Sequence, residues 1–114
     1  MTKVTGIGGV FFRSQDTKSL AAWYEQHLGV TEVWQQEAGM TVFAPFKHTT
    51  DYFPAAKQWM INFRVDDLDA MVDQLRGAGE TVDVNPERFP NGRFADLRDP
   101  EGNGIQLWQP MDPE

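Results

Sequence analysis

Cysteine is missing from the 114-residue chain, and histidine occurs only twice. Without cysteine the protein has no disulfides, no thiolate metal site and no cysteine nucleophile, and this composition suits a reducing compartment. The sequence also lacks any run of about 18 apolar residues, so it predicts no membrane span. Because the first residues show no signal-peptide pattern either, we expect a cytoplasmic protein with no membrane partner.

Basic residues are scarce and scattered. The 10 Lys and Arg are outnumbered by 17 Asp and Glu, which gives a formal net charge of -7 at pH 7. Nucleic-acid binding needs a clustered basic face, so this balance argues against such a partner and mildly favours cationic ligands. The sequence also has no P-loop, no G-x-S-x-G and no G-x-G-x-x-G turn between a strand and a helix.

One sequence pattern occurs twice. Phe-Arg-x-x-Asp is found at positions 12–16 and again at 63–67, each time after a short apolar run. Apolar residues then recur at helical spacing, which predicts an amphipathic helix after each copy: Leu20, Trp23, Tyr24 and Leu28 in the first, and Leu68, Met71, Val72 and Leu75 in the second. The predicted boundary residues are Asp16 or Ser14 as the first N-cap, Gly29 after the first helix, and Gly77 or Gly79 after the second.

Strand-like sequence surrounds each predicted helix. The apolar run before each helix predicts one strand, and two or three more are predicted afterwards: TEVWQQE and MTVFAPF in the first half, and TVDVNP, RFADLRD and GIQLWQP in the second. Residues 99–104 are typical of a turn and predict a hairpin between the last two strands. The repeat divides a single domain, residues 1–114, into module 1 of about residues 1–57 and module 2 of about residues 58–114.

The expected fold class is α+β. One helix can cover only one face of its sheet, so the other face of each unit needs a partner. Two paired βαβββ modules would form a curved mixed sheet around a central cavity, with the helices outside. Such a hollow is a natural ligand site.

Three segments resemble a known family. They are residues 23–29, 63–68 and 99–108, which read WYEQHLG, FRVDDL and DPEGNGIQLW. Together they are similar to the vicinal oxygen chelate superfamily, which includes glyoxalase I, extradiol dioxygenases, fosfomycin-resistance enzymes and bleomycin-binding proteins. The resemblance covers nearly the whole chain, and it implies paired βαβββ modules and a homodimer.

The resemblance also indicates where metal ligands should be. Metal-dependent members place a His in the first strand, a His in the first strand of the second module and a Glu in the last strand, which correspond here to Gly9, Met60 and Gln106. Glycine has no side chain to donate, methionine is too soft for the ions concerned, and an amide is a poor substitute for a carboxylate. We therefore expect no metal and no cofactor.

Strand alternation sorts the side chains around the expected cavity. If the three family positions face inward, the candidate ligand-binding residues are Phe11, Arg13, Met60, Asn62, Arg64, Gln106 and Trp108. The residues expected to face the helices are Val10, Phe12, Ile61, Phe63, Ile105 and Leu107. Arg13 and Arg64 could clamp an anion from the cavity rim, or each could pair with a nearby acid such as Asp66 or Asp16 and tie strand to helix.

The leading hypothesis is a small-molecule binding protein of the glyoxalase/bleomycin-resistance type that lacks the usual metal ligands and takes an anionic or aromatic ligand. The alternative is a metal-dependent lyase, isomerase or dioxygenase with other ligands, for instance Gln106 with His48, which lies near Asp51, or with a residue from a partner chain. The sequence identifies no catalytic residue. It leaves open both enzymatic activity and the facing of Arg93, which could lie at the cavity mouth.

Overall fold

The computed structural model describes residues 2–111. In chain order its elements are α1 (Thr17–Leu28), β1 (Ile61–Arg64), α2 (Leu68–Gly77), β2 (Asp83–Val84), β3 (Gly92–Arg98) and β4 (Gly104–Pro110). The four strands form one sheet in the order β1-β4-β3-β2, in which β1 runs parallel to β4 and the other neighbours are antiparallel. The arrangement is α+β, and module 2 forms a complete βαβββ unit.

Both helices begin and end where the sequence predicts. The Asp16 carboxylate accepts a hydrogen bond from Ser19 N at 3.1 Å, and the Asp67 carboxylate accepts one from Ala70 N at 3.0 Å. Each bond satisfies a backbone N–H that the first helical turn leaves unpaired. At the other end of α1, Gly29 has a φ of 71°, in the left-handed region that favours glycine. Neither of these helices is long and apolar enough to cross a membrane, as far as residues 2–111 are concerned.

Module 1 differs from the expectation, because residues 2–57 contain α1 and no strand. The predicted strands TEVWQQE and MTVFAPF, and the apolar run before α1, have irregular backbone. No backbone hydrogen bond joins residues 2–15 or 31–46 to the sheet. A strand is stable only when its N–H and C=O groups pair with a neighbour, so strand propensity alone does not order these segments. The described chain therefore contains one open sheet, with no closed cavity between two paired sheets.

The core lies on one face of the sheet, beneath both helices. It combines side chains from α1, α2, alternate strand positions and Val82 just before β2: Leu20, Trp23, Tyr24, Leu68, Val72, Leu75, Val82, Ala95, Leu97, Ile105 and Leu107. Full burial of one such side chain contributes roughly 1.5–3 kcal/mol. Phe12 and Phe63 pack against this core as expected. Val10 does not, since it is 52% exposed in a segment that forms no strand.

Side-chain hydrogen bonds hold α1 against module 2. The buried Tyr24 hydroxyl donates to the Asp99 carboxylate at 2.7 Å. The Trp23 indole donates to the Glu80 carboxylate at 2.9 Å. The Glu101 carboxylate accepts three bonds at the start of α1, from Ser14 Oγ, Gln15 N and Asp16 N. Because Asp99 and Glu101 belong to the predicted hairpin turn, this turn of module 2 anchors the helix of module 1.

Exposed apolar side chains are concentrated in module 1. Apart from Met111, the large apolar residues that remain exposed lie between positions 4 and 52: Val4, Ile7, Val10, Phe11, Val33, Trp34, Met40, Val42, Phe43, Phe46 and Tyr52. Phe11 and Phe43 are 94% and 90% exposed. We call this set the module 1 apolar surface. Extensive apolar surface on a folded protein marks an interaction site.

Candidate functional site

The face of the sheet opposite the helices carries several of the predicted site residues. On β4, Gln106 and Trp108 alternate with core residues, so their side chains lie on the other side of the sheet. Residues paired across neighbouring strands share a face. This pairing adds Asn62 and Arg64 from β1, Phe94, Asp96 and Arg98 from β3, and Asp83 from β2. We call these eight residues the open face.

A row of polar side chains crosses the open face. Asn62, Gln106, Asp96 and Asp83 are successive partners across the four strands. The Asn62 amide donates to the Gln106 carbonyl oxygen at 2.8 Å, and Gln106 lies opposite Asp96 in the strand register. Because the Gln106 oxygen accepts from Asn62, its NH₂ group is the part of the side chain that can act as a donor beside Asp96. Donors in this row therefore point from Asn62 through Gln106 towards the Asp96 carboxylate.

The Asp96 carboxylate has an unusual electrostatic environment. Desolvation raises the pKa of Asp96, the neighbouring Gln106 amide lowers this pKa, and the nearby charge of Asp83 raises it further. The net direction is upward, so desolvation and like charge outweigh the effect of the amide. A positive group placed beside Asp96 would therefore stabilise its ionised form.

Aromatic side chains form one end of the open face. Phe94 and Trp108 are paired in register, and their rings are parallel to within 4° with centroids 6.3 Å apart. The Trp108 indole donates to Asn91 O at 2.7 Å, and the Phe89 ring meets Phe94 edge to face. Gly92 permits this packing, because a β-carbon there would collide with the Trp108 indole nitrogen. These contacts fix an aromatic wall beside the polar row, in which Trp108 is buried at 6% exposure and Phe94 is the more accessible ring.

The two arginines related by the repeat occupy different settings. Arg64 donates from Nη2 to Glu37 O at 3.0 Å, and its guanidinium fills the space that a side chain at Gly39 would need. Arg13 and Phe11 precede α1 in irregular backbone, and no hydrogen bond between described residues joins them to the open face. Neither arginine forms an ion pair within residues 2–111, with Asp66, Asp16 or any other acid. Only Arg64 is placed beside the polar row.

A broad cavity lies at the end of the open face away from the aromatic wall. Its volume is about 850 Å³, and it lies between the sheet, residues 50–55 and residues 79–81. Met60, directly before β1, contributes to the lining. The charged residues of the lining are Asp51, Glu80, Asp83, Asp96 and Arg98. Pockets for drug-sized ligands typically measure about 300–1,000 Å³, so the cavity can hold an organic molecule, in predominantly acidic surroundings.

The residues at the three expected metal positions do not fit a metal ion. Gly9 has no side-chain donor, Met60 offers only a thioether, and the Gln106 oxygen already accepts a hydrogen bond from Asn62. In the part of the chain that the structure describes, no group of three or more His, Cys, Asp or Glu could hold a metal ion.

Two other candidates from the sequence have local settings. His48 is exposed in a turn that is closed by a hydrogen bond from Thr50 N to Lys47 O at 3.0 Å. Arg93 forms an ion pair with Asp69 on α2, with both guanidinium–carboxylate distances at 3.1 Å. Arg93 therefore lies against the helix layer, away from the cavity mouth.

The sequence reasoning missed Asp83, Phe94 and Asp96. RFADLRD and GIQLWQP were both predicted strands of one hairpin, and the turn fixes the register between them. That register places Asp96 opposite Gln106 and Phe94 opposite Trp108. The pattern that could have identified two of the three residues was therefore present in the predicted hairpin.

Comparison with known proteins identifies the family. The model of the Glyoxalase/Bleomycin resistance protein/Dioxygenase superfamily matches residues 6–107. The chain belongs to this superfamily. The resemblance inferred from the three sequence segments is thereby confirmed.

One relative detected by sequence is the anthracycline biosynthesis protein DauV of Streptomyces sp. (strain C5), which is 29% identical over 120 residues. The match covers 92% of this chain and 43% of DauV, so the chain spans less than half the length of that relative.

Solved structures share the glyoxalase/bleomycin-resistance fold. TnmS3, an antibiotic binding protein from Streptomyces sp. CB03234, is 23% identical and superposes with a TM-score of 0.67 over 97% of this chain and 100% of TnmS3. The bleomycin resistance determinant encoded on the transposon Tn5 is 21% identical, with a TM-score of 0.50 over 87% of this chain and 92% of the other. At these identities the likeness establishes the fold alone.

Proposed function

We propose that this superfamily member is a small-molecule binding protein that lacks the usual metal ligand set and uses the open face as its binding surface. The polar row carries the proposal, because the family's carboxylate position holds Gln106, whose oxygen is hydrogen-bonded to Asn62. Amides beside an aromatic wall suit the orientation of an organic ligand. The proposed ligand-contacting residues are Phe11, Arg13, Met60, Asn62, Arg64, Gln106 and Trp108. The cytoplasm is the proposed location, since a chain without cysteine suits it.

A homodimer with paired modules is part of this proposal. In the described sheet β1 is an edge strand, so its outer N–H and C=O groups can pair with an added strand. The run before α1 carries the same sequence pattern as β1, and a second copy could place it along that edge. Phe11 and Arg13 would then approach Asn62 and Arg64, and the module 1 apolar surface would be covered.

Two relatives support an organic ligand through their names, which refer to antibiotic binding and to anthracycline biosynthesis. The metal-dependent lyase, isomerase or dioxygenase is not favoured. It needs ligands beyond Gln106 and His48, and residues 2–111 contain no suitable group of three.

Native mass spectrometry of tag-free protein, purified without chelators, tests the proposal. We expect a complex of twice the 13.0 kDa chain mass that carries no stoichiometric divalent metal. Gln106→Ala should leave the metal content unchanged, as should the control Gln26→Ala on the exposed side of α1. A stoichiometric metal that Gln106→Ala removes and Gln26→Ala retains would overturn the proposal in favour of the metalloenzyme.

A further inference from the structure

Asp96 stands one strand away from the position where metal-dependent relatives carry a carboxylate. Gln106 occupies that position on β4, and Asp96 is its partner on β3. Neighbouring strands lie roughly 4.8 Å apart, so a carboxylate is still present near the middle of the sheet, displaced by one strand. Its partner on β4 is a neutral amide.

The Asp96 carboxylate can accept hydrogen bonds from a ligand. An ionised carboxylate has about four acceptor sites, and the single amide opposite it, that of Gln106, could occupy only one of them. Asp96 is exposed and lines the cavity of about 850 Å³. A ligand in this cavity can therefore reach the carboxylate directly.

Charged groups from several elements surround Asp96. Asp83 faces it from β2, and Arg98 lies two residues along β3 on the same face. Asp51 and Glu80 line the same cavity from the loops around it, and the neighbours on β4 and β1 are the neutral amides of Gln106 and Asn62. Four acids against one arginine make the field in the cavity negative, and the net charge of -7 for the chain has the same sign. The other arginine of the open face, Arg64, lies on β1, two strands away from Asp96, and donates to Glu37 O.

An apolar surface lies at a suitable distance from this carboxylate. Phe94 precedes Asp96 by two residues on β3, and alternate residues of a strand are roughly 6.7 Å apart. The Phe94 ring is half-buried and held in place by Trp108 and Phe89. A planar ring system packed beside Phe94 would bring an amino substituent to Asp96.

We propose that Asp96 determines the ligand specificity of the open face, and that it selects planar aromatic molecules that carry a cationic nitrogen. This inference rests on the proposed function, since it names the ligand class of the same site. The sequence predicted an anionic ligand held by an arginine clamp, and a cationic ligand replaces that prediction. Arg64 is bound to Glu37 O, and the cavity lining is acidic.

The test compares three planar probes of similar shape: 9-aminoacridine as the cation, acridine as the neutral compound, and acridine-9-carboxylate as the anion. Equilibrium dialysis at neutral pH measures binding of each probe to the full chain. We expect the wild type to bind the cation most tightly. Asp96→Asn should weaken binding of the cation by roughly tenfold, which corresponds to the loss of one charge-assisted hydrogen bond, and should leave the affinity for acridine unchanged.

The control is Asp73→Asn on the exposed surface of α2, which changes the net charge equally and should leave all three affinities unchanged. The wild type gives a second measurement that does not depend on a variant folding. Its affinity for 9-aminoacridine, which stays cationic over the whole range, should fall as the pH falls through the raised pKa of Asp96, because the protonated carboxyl no longer attracts the cation.

Each other outcome has a defined meaning. Equal binding of the three probes, tighter binding of the anion, or an unchanged cation preference in Asp96→Asn overturns the inference and leaves small-molecule binding in place. If the wild type binds none of the probes, the inference and the proposed binding function on the open face both fail.

Discussion

Modules 1 and 2 carry the same sequence pattern but differ in structure. In module 2, Phe63 lies in β1 opposite Leu107 of β4, and the sheet hydrogen bonds run through both residues. In module 1, the equivalent Phe12 packs edge to face against Trp59, with ring centroids 5.1 Å apart, although its segment forms no strand. The two copies of the pattern therefore bury their phenylalanine similarly and order their backbone differently.

The comparison separates two kinds of secondary structure. A helix satisfies its backbone within one segment, so α1 and α2 both form from their own caps and apolar spacing. A strand needs a neighbour, which module 2 supplies from its own hairpin and crossover. Module 1 has strand-forming sequence without a neighbour inside the described chain.

The largest effect should come from the core of module 2. Leu107 is 0% exposed on β4, and Leu107→Ala should lower the free energy of unfolding by about 3 kcal/mol through lost burial and a residual cavity. Val33→Ala in module 1, at a site 89% exposed, should change it by less than about 0.5 kcal/mol at protein concentrations where the chain is monomeric. Urea unfolding measures both, and equal losses would contradict the contrast between the modules.

A smaller loss of stability should follow from removing a hydrogen bond between the modules. Tyr24→Phe removes the buried bond to Asp99 and should cost about 1.5 kcal/mol, because Asp99 keeps its bonds from Asn103. Burial and the Asp99 charge raise the pKa of Tyr24, so its hydroxyl remains a donor at any ordinary pH. Tyr52→Phe is the matched control at a site that is 70% exposed. Thermal unfolding at neutral pH should show a lower midpoint for Tyr24→Phe alone.

The proposed dimer gives a third contrast between the modules. Phe43→Asp places a charge on the module 1 apolar surface and should raise the dimer dissociation constant by roughly tenfold or more, because the charge would be desolvated on association. Met111→Asp makes a similar change on an exposed apolar residue of module 2 and should have little effect. Analytical ultracentrifugation measures both constants. Similar shifts for the two variants would place the interface elsewhere.

The smallest effect concerns Glu101 and its dependence on pH. Hydrogen bonds from Gln15 N and Ser14 Oγ hold the pKa of Glu101 below its ordinary value, and the bond from Gln15 N has the larger effect on this pKa. Its contribution to stability is therefore complete above the pKa of the unfolded chain and is lost as the pH falls through the lower folded value. Glu101→Gln should flatten this acidic part of the stability curve slightly. Chemical unfolding between neutral and acidic pH checks the slope, and an unchanged slope would show that the carboxylate contributes nothing.

The sequence predicted what is determined locally. Asp16 and Gly29 mark the ends of α1 through their own chemistry, and the turn at residues 99–104 specifies the hairpin of β3 and β4. The strands of module 1 were predicted from propensity, and the absence of a neighbour in the described chain explains why they did not form. The contact between Arg64 and Glu37 O joins residues far apart in the sequence, so no local pattern could reveal it.

The candidate site was predicted in outline. Asn62 and Gln106 were expected on the same face, and the structure joins them by a hydrogen bond. Asp96 was not predicted because the family resemblance concerns only the three metal-ligand positions. Asp96 lies on β3, opposite Gln106 at one of these positions.

The three hydrogen bonds that Glu101 accepts from residues 14–16 orient the chain before α1. These hydrogen bonds fix the point and the direction at which residues 2–13 lead away from the start of α1. Without these hydrogen bonds each molecule would keep its exposed apolar segment before α1. Two such segments without a fixed direction would pair in many registers. Variation at this turn could thus convert a defined pair of molecules into a mixture of assemblies without altering a single residue of the contact surface.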